Sequence, residues 1–184
     1  EDLWAKPVLE TDGKTGSFSM ELTVSARDTA ADKTGQLGSV SWRIVKKGTE
    51  DIKGTGTVLI EGGKEIHIQI PSQIIPDVRP WSHEDPFLYL LEIRVKNVRG
   101  EIVEIVPYEI GFRRIAMDHG IMTLNGKRLI LHGVNRHEWS AEGGRVITEA
   151  QMRWDMDCFH AHNSDSDRTG HYPERIPWYY PCDR

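Results

Sequence analysis

Cysteine is nearly absent. Two thiols in 184 residues, Cys158 and Cys182, are too few for a disulfide framework, and the expectation is a reducing, cytoplasmic home. Positive charge is in deficit as well, with 23 Lys and Arg against 28 Asp and Glu and a net charge of −5. No basic stripe interrupts that balance, so nucleic acid is excluded as an expected partner. No apolar run approaches the roughly 20 residues that a helix needs to cross a bilayer, and no membrane partner is expected either. Internal repeats and low-complexity tracts are missing, which leaves periodicity as the guide to organisation. The length fits one domain of ordinary size plus an extension.

What is present first is alternation. From Ser17 to Ser25 the apolar Phe18, Met20, Leu22 and Val24 are separated by polar residues, the pattern of a strand with one buried face. Val40, Trp42 and Ile44 repeat it, as do Val58 with Ile60, then Ile66, Ile68 and Ile70, then Leu91, Ile93 and Val95, with Gly, Asp or Asn between most runs. Closed by the run Ile102 to Ile110, these strands predict a mainly β fold, an immunoglobulin-like β-sandwich from about Trp4 to Phe112. The expected first domain is therefore residues 1–112.

Past Gly111 the pattern changes. Asn125-Gly126, between Ile121-Met122-Thr123-Leu124 and the run Lys127 to Leu131, predicts a two-residue hairpin, because both turn positions need positive φ. Thr148 followed by Glu149 and Gln151 predicts a capped helix start, and Met152, Met156 and Phe159 follow at helical spacing. That is the one helix expected. An apolar strand Leu129 to Val134, this helix and a strand-like Asn163 to Thr169 give the order in which a (β/α) barrel begins. Residues 113–184 are thus expected to be an incomplete, truncated barrel segment.

The chemistry-bearing residues sit at the ends of those two strands. Asn135-Arg136-His137-Glu138 follows the first, and Arg168-Thr169-Gly170-His171-Tyr172-Pro173 follows the second. If the strands pair in parallel, the two motifs lie side by side at the carboxyl ends, where barrel enzymes assemble their sites. An imidazole can donate to and accept from hydroxyls, and a guanidinium offers five fixed donors. Asn135 could shape the turn, and Arg136 could pair with an acid. Asp155, Asp157, His160 and His162 form an acid-and-imidazole group on the helix, but residues two apart point about 200° from each other, so no metal site is expected there.

These motifs, with Trp81-Ser82-His83-Glu84-Asp85-Pro86-Phe87-Leu88-Tyr89 upstream, Gly111-Phe112-Arg113, Leu124-Asn125-Gly126-Lys127 and the final Trp178-Tyr179 to Asp183, resemble glycoside hydrolase family 2, and its β-galactosidases most. The resemblance implies a retaining hydrolase of terminal β-galactosides, with β-glucuronidase, β-mannosidase or a non-catalytic carbohydrate-binding sandwich as alternatives. It implies that Asn135, His137, Arg168 and His171 bind substrate, with His137 on the galactosyl ring, Arg168 on the sugar or a catalytic acid, and His171 gripping harder in the transition state. Trp81 it makes structural. The two catalytic glutamates, and most ligands of a magnesium ion in the parent enzyme, are implied to lie beyond this chain. The chain alone is expected to be inactive, and the parent to be a homo-oligomer. Three departures stand out. Asn163-Ser164-Asp165-Ser166-Asp167 places acids where a buried strand is wanted, Gly170 stands where the resemblance implies a small hydroxyl residue, and Pro181 falls where a helix would continue. No regular strand is expected there, and a loosely held tail is.

Overall fold

In β2 (Gly16–Ser25) Phe18, Met20 and Leu22 are buried while Ser17, Ser19 and Glu21 between them stay partly exposed. Alternation thus places one face of each strand against a partner sheet. The computed structural model describes residues 2–25, 36–61 and 65–184, which fall into two units, Glu1–Ile115 and Ala116–Arg184.

In the first unit β1 (Asp2–Leu9), β2 and β5 (Glu65–Ile75) form one sheet. The other has the order β4 (Ile52–Glu61), β3 (Gln36–Lys46), β6 (Tyr89–Asn97), β7 (Ile102–Ile110). All pairings are antiparallel. This is the immunoglobulin-like sandwich that the alternation predicts, with the fourth strand hydrogen-bonded to the third rather than to the fifth. The two inner faces meet in one core, where Phe18 and Trp42 rings lie 5.1 Å apart among Met20, Ile44, Ile70 and Leu91. Trp42 fits because β4 presents glycine opposite it: a Cβ at Gly56 would sit 2.7 Å from the indole nitrogen. Trp81 packs on Gly111 and under the Arg113 guanidinium, 4.7 Å from the ring centroid. Nearby, Arg79 closes a two-bond fork on Asp85, and its backbone N–H donates to the buried Tyr89 hydroxyl at 2.7 Å.

The second unit starts with a meander of β8 (Ile115–Asp118), β9 (Ile121–Leu124) and β10 (Lys127–Arg128). Asn125 and Gly126 form the predicted turn at φ 52° and 79°. Then come β11 (Gly133–Arg136), α1 (Glu149–Ala161), β12 (Ser166–Thr169) and α2 (Ile176–Cys182). Thr148 caps α1 in a reciprocal box with Gln151, which satisfies amides that the helix cannot bond itself. Met152 is buried, and Met156 and Phe159 pack on Trp178 and Ile147.

Four expectations are corrected. The apolar run Leu129–Leu131 is not the strand; β11 starts at Gly133 and carries Asn135 and Arg136, because parallel pairing with β12 selects those residues. β8 extends the expected hairpin to three strands. The acidic segment does form a strand, since its carboxylates have donors: Asp165 accepts from the His132 amide at 2.8 Å, and Asp167 from the Trp178 indole at 3.1 Å. A second helix also forms despite Pro181. Pro177 lies in its first turn, where no intrahelical donor is lost. Trp178 anchors it, 1% exposed, with its ring 6.1 Å from Phe159.

Candidate functional site

Parallel pairing of β11 with β12 sets Asn135 opposite Arg168 and Arg136 opposite Thr169. Just past these carboxyl ends the chain is tied across: the Gly170 amide donates to the Arg136 carbonyl at 2.7 Å. Glycine is required here, because a Cβ at 170 would lie 2.8 Å from that carbonyl and 3.3 Å from the His137 ring. The crossing brings the two motif histidines together, with His171 meeting His137 edge-on at 5.8 Å and Tyr172 6.3 Å from the same ring. Arg168, Thr169, His171, Tyr172, Pro173 and Tyr179 line an open cavity of about 430 Å³. Asn135 and His137 lie outside that lining. All four predicted substrate residues, Asn135, His137, Arg168 and His171, are exposed. The cavity offers guanidinium, imidazole and hydroxyl groups beside an aromatic ring, a set suited to a polyhydroxylated ligand.

Beneath this surface lies a layer of which the sequence showed one part, that Arg136 could pair with an acid. Arg136 and Glu138 point the other way from Asn135 and His137, and they are 4% and 7% exposed. The Arg136 Nε donates to Asp155 of α1 at 2.9 Å, and Nη1 lies 2.9 Å from a Glu174 carboxylate oxygen. The guanidinium stacks 3.8 Å over the Trp178 ring. Glu138 accepts from the Arg175 amide at 3.1 Å, while the Arg175 guanidinium turns away to the Ile147 carbonyl at 2.7 Å. Burial raises the Glu174 carboxyl above its ordinary range, Arg136 opposes that, and contact with Glu138 adds to it. Burial raises Asp167 too, against the Trp178 indole and Arg136. The available signal was parity: counting inward by two from a strand residue puts Arg136 and Glu138 on one face. Glu174 and Asp155 come from loop and helix, and nothing local marks them.

Sandwich and parallel β-α-β opening together define the class, a β-sandwich followed by the start of a (β/α) barrel. The family model "Glycosyl hydrolases family 2" matches residues 1–113, and that family's TIM barrel domain matches residues 115–184. The chain belongs to glycosyl hydrolase family 2. It is similar to the β-galactosidase large subunit of Lactobacillus acidophilus, 37% identical over the whole chain and 27% of that protein. It is also similar to the β-galactosidase of Streptococcus thermophilus, 34% identical over the whole chain and 17% of that protein. Among solved structures, the β-glucuronidase of Parabacteroides merdae superposes with a TM-score of 0.84 at 23% identity, over all of this chain and 22% of the other. That likeness speaks for the fold. The chain spans about a quarter or less of the length of these relatives.

Among the described residues magnesium has no fitting ligand set. Among the described residues no three His, Cys, Asp or Glu side chains converge on one point, and the Arg136 guanidinium stands between Asp155 and Glu174 where a cation would have to sit. No helix among the described residues is long and apolar enough to cross a membrane.

Proposed function

We propose that the protein to which this chain belongs is a retaining β-galactosidase, and that these residues supply its sandwich and one wall of the sugar site. The observation that carries the reading is the convergence of His137, His171 and Tyr172 beside the cavity lined by Arg168. Relatives named β-galactosidase at 34% and 37% identity over the whole chain support the substrate class. The name "large subunit" of one of them supports an assembly of more than one chain. The two free thiols, Cys158 and Cys182, support a reducing, cytoplasmic compartment.

Retaining hydrolysis needs two carboxyl groups about 5 Å apart, flanking the glycosidic bond. Glu138 and Glu174 touch but are buried, the Glu174 side chain being 0% exposed, so neither can reach a glycosidic oxygen. Acid and nucleophile therefore come from other parts of the parent, and this chain alone is inactive. Hydrolysis of a nitrophenyl β-galactoside by the purified chain, above a heat-killed control, overturns this reading. In the intact enzyme, His171→Ala lowers kcat by about 100-fold with a smaller change in KM, as expected for a donor that acts mainly on the transition state. A change confined to KM assigns His171 to uniform binding instead. Faster turnover of a β-glucuronide than of a β-galactoside moves the assignment to β-glucuronidase.

A further inference from the structure

Four carboxyl groups gather around a single guanidinium in the second unit. Asp155 faces Arg136 from α1, Asp167 from β12 and Glu174 from the segment before α2, while Glu138, two residues past β11, lies against Glu174. Arg175 contributes only its backbone amide, and α2 adds the Tyr179 hydroxyl and the Cys182 thiol, neither of them a cation. Arg136 serves Asp155 with Nε and Nη2 and reaches one oxygen of Glu174. The remaining demand falls on Glu138 and Glu174. Glu138 Oε1 and both Glu174 oxygens are buried without an aligned hydrogen-bond donor. Two ionised carboxylates cannot share such a place cheaply, whereas one proton between them supplies the missing donor and removes a charge.

We propose that Glu138 and Glu174 hold one proton between them, and that this shared proton fastens the segment bearing His171 and Tyr172 to the strand end bearing His137. The pair is well placed for that. Glu138 accepts from the Arg175 amide, the Glu174 amide donates to the Tyr179 hydroxyl at 3.1 Å, and the Gly170 amide holds the Arg136 carbonyl. His171 and Tyr172 lie on the span between these ties. Glu138 and Glu174 are positioning residues in this account, acting on the sugar site through the segment they hold. The proposal rests on the galactosidase reading only for the use made of the two histidines.

The folded-state value of Glu174 is raised above its ordinary 4.5, burial being the first cause. Its contribution to stability is therefore complete below that ordinary value and is lost as pH rises through the raised one. The fastening loosens on the alkaline side.

The test is a ¹³C titration of glutamate carboxyl carbons in the full 184-residue chain from about pH 4 to pH 9, with Glu138→Gln and Glu174→Gln as assignments. A carboxyl signal titrating above the ordinary glutamate range, absent from Glu174→Gln and moved towards the ordinary range in Glu138→Gln, is the expected result. Proton contacts between the His137 and His171 rings are expected to fade through the same titration in the wild type and to persist in Glu174→Gln, whose amide donates at every pH. Ordinary titration of every glutamate overturns the proposal, as does a ring contact that follows the same pH course in both proteins. Should the variants fail to fold, the wild-type titration alone decides. No sugar takes part, so these outcomes are independent of whether the parent is a galactosidase.

Discussion

Replacing Arg136 with methionine asks how much of the second unit depends on one guanidinium. The side chain is 3% exposed, sits 2.9 Å from both Asp155 and Glu174, and covers the Trp178 ring. Methionine keeps much of the stacking on Trp178 but leaves the buried Glu174 carboxyl and the part-buried Asp155 without their cation. Removing one partner of a buried ion pair costs about 3–5 kcal/mol, chiefly because the other charge is stranded. A unit of about 70 residues has about 3–10 kcal/mol of stability in all. Arg136→Met thus removes most of what holds β11, β12, α1 and α2 together. Hydrogen exchange resolved by segment reads this directly. Amides of β11, β12 and α2 lose protection together, while those of β2, β3 and β6 keep theirs, since each Arg136 partner named here lies in the second unit. Adding Glu174→Gln restores part of the loss, because one stranded charge is gone. If Arg136→Met changes protection in the second unit by less than about 1 kcal/mol, the value of an exposed pair, the guanidinium is not its keystone and the reasoning fails.

Three further outcomes follow from particular contacts. Gly56→Ala pushes a methyl to 2.7 Å from the Trp42 indole, and the sandwich loses about 1–3 kcal/mol by overpacking, read as a lower denaturant midpoint with unchanged slope. Thr148→Ala removes the α1 cap and costs about 1 kcal/mol, visible as faster exchange in the first turn of α1 and not in its last. Asp12, in the β1–β2 turn, is lowered to about 2 by the Thr15 hydroxyl and then by the Lys14 and Thr15 amides. What it contributes is present above its ordinary value of 3.8 and is lost as pH falls through about 2. A carboxyl titration that raises Asp12 part of the way towards its ordinary value in Thr15→Val, where both amides remain, confirms the hydroxyl as the first cause.

The sandwich was legible because burial on one side writes itself into a strand as alternation, and Phe18, Met20 and Leu22 or Tyr89, Leu91 and Ile93 carry no competing message. α1 was legible from its cap, which is local by construction. The placement of Asn135, His137, Arg168 and His171 on exposed positions at or just past two parallel strand ends was legible as well. What failed to show is everything whose reason lies far along the chain. Hydrophobicity favoured Leu129 to Leu131 as the strand, yet Ile130 and Leu131 are 55% and 58% exposed and the ladder runs through Gly-Val-Asn-Arg. That choice belongs to β12, more than thirty residues away.

The acidic strand is the sharpest case. Read alone, Asp165 and Asp167 forbid a buried strand, because each carboxylate requires a donor that no neighbour in sequence supplies. The donors arrive from the His132 backbone and the Trp178 indole, one on each side of the sequence and neither on the strand itself. Trp178 in turn is fixed by Phe159 and by the Arg136 guanidinium, and Arg136 by Asp155 and Glu174. Each polar group is tolerable only once the next is in place, so no single substitution in this segment can be judged by its own burial. Asp167→Val would relieve a raised carboxyl and would also leave the Trp178 indole without its acceptor. A removed charge and an orphaned donor are each a matter of about 1–3 kcal/mol with opposite sign, and the two nearly cancel. Paired with Trp178→Phe, which carries its own packing loss, the same change no longer orphans the indole, so the double variant is expected to cost the second unit less than the sum of the two singles. If the two effects simply add, the hydrogen bond from the indole to Asp167 is incidental.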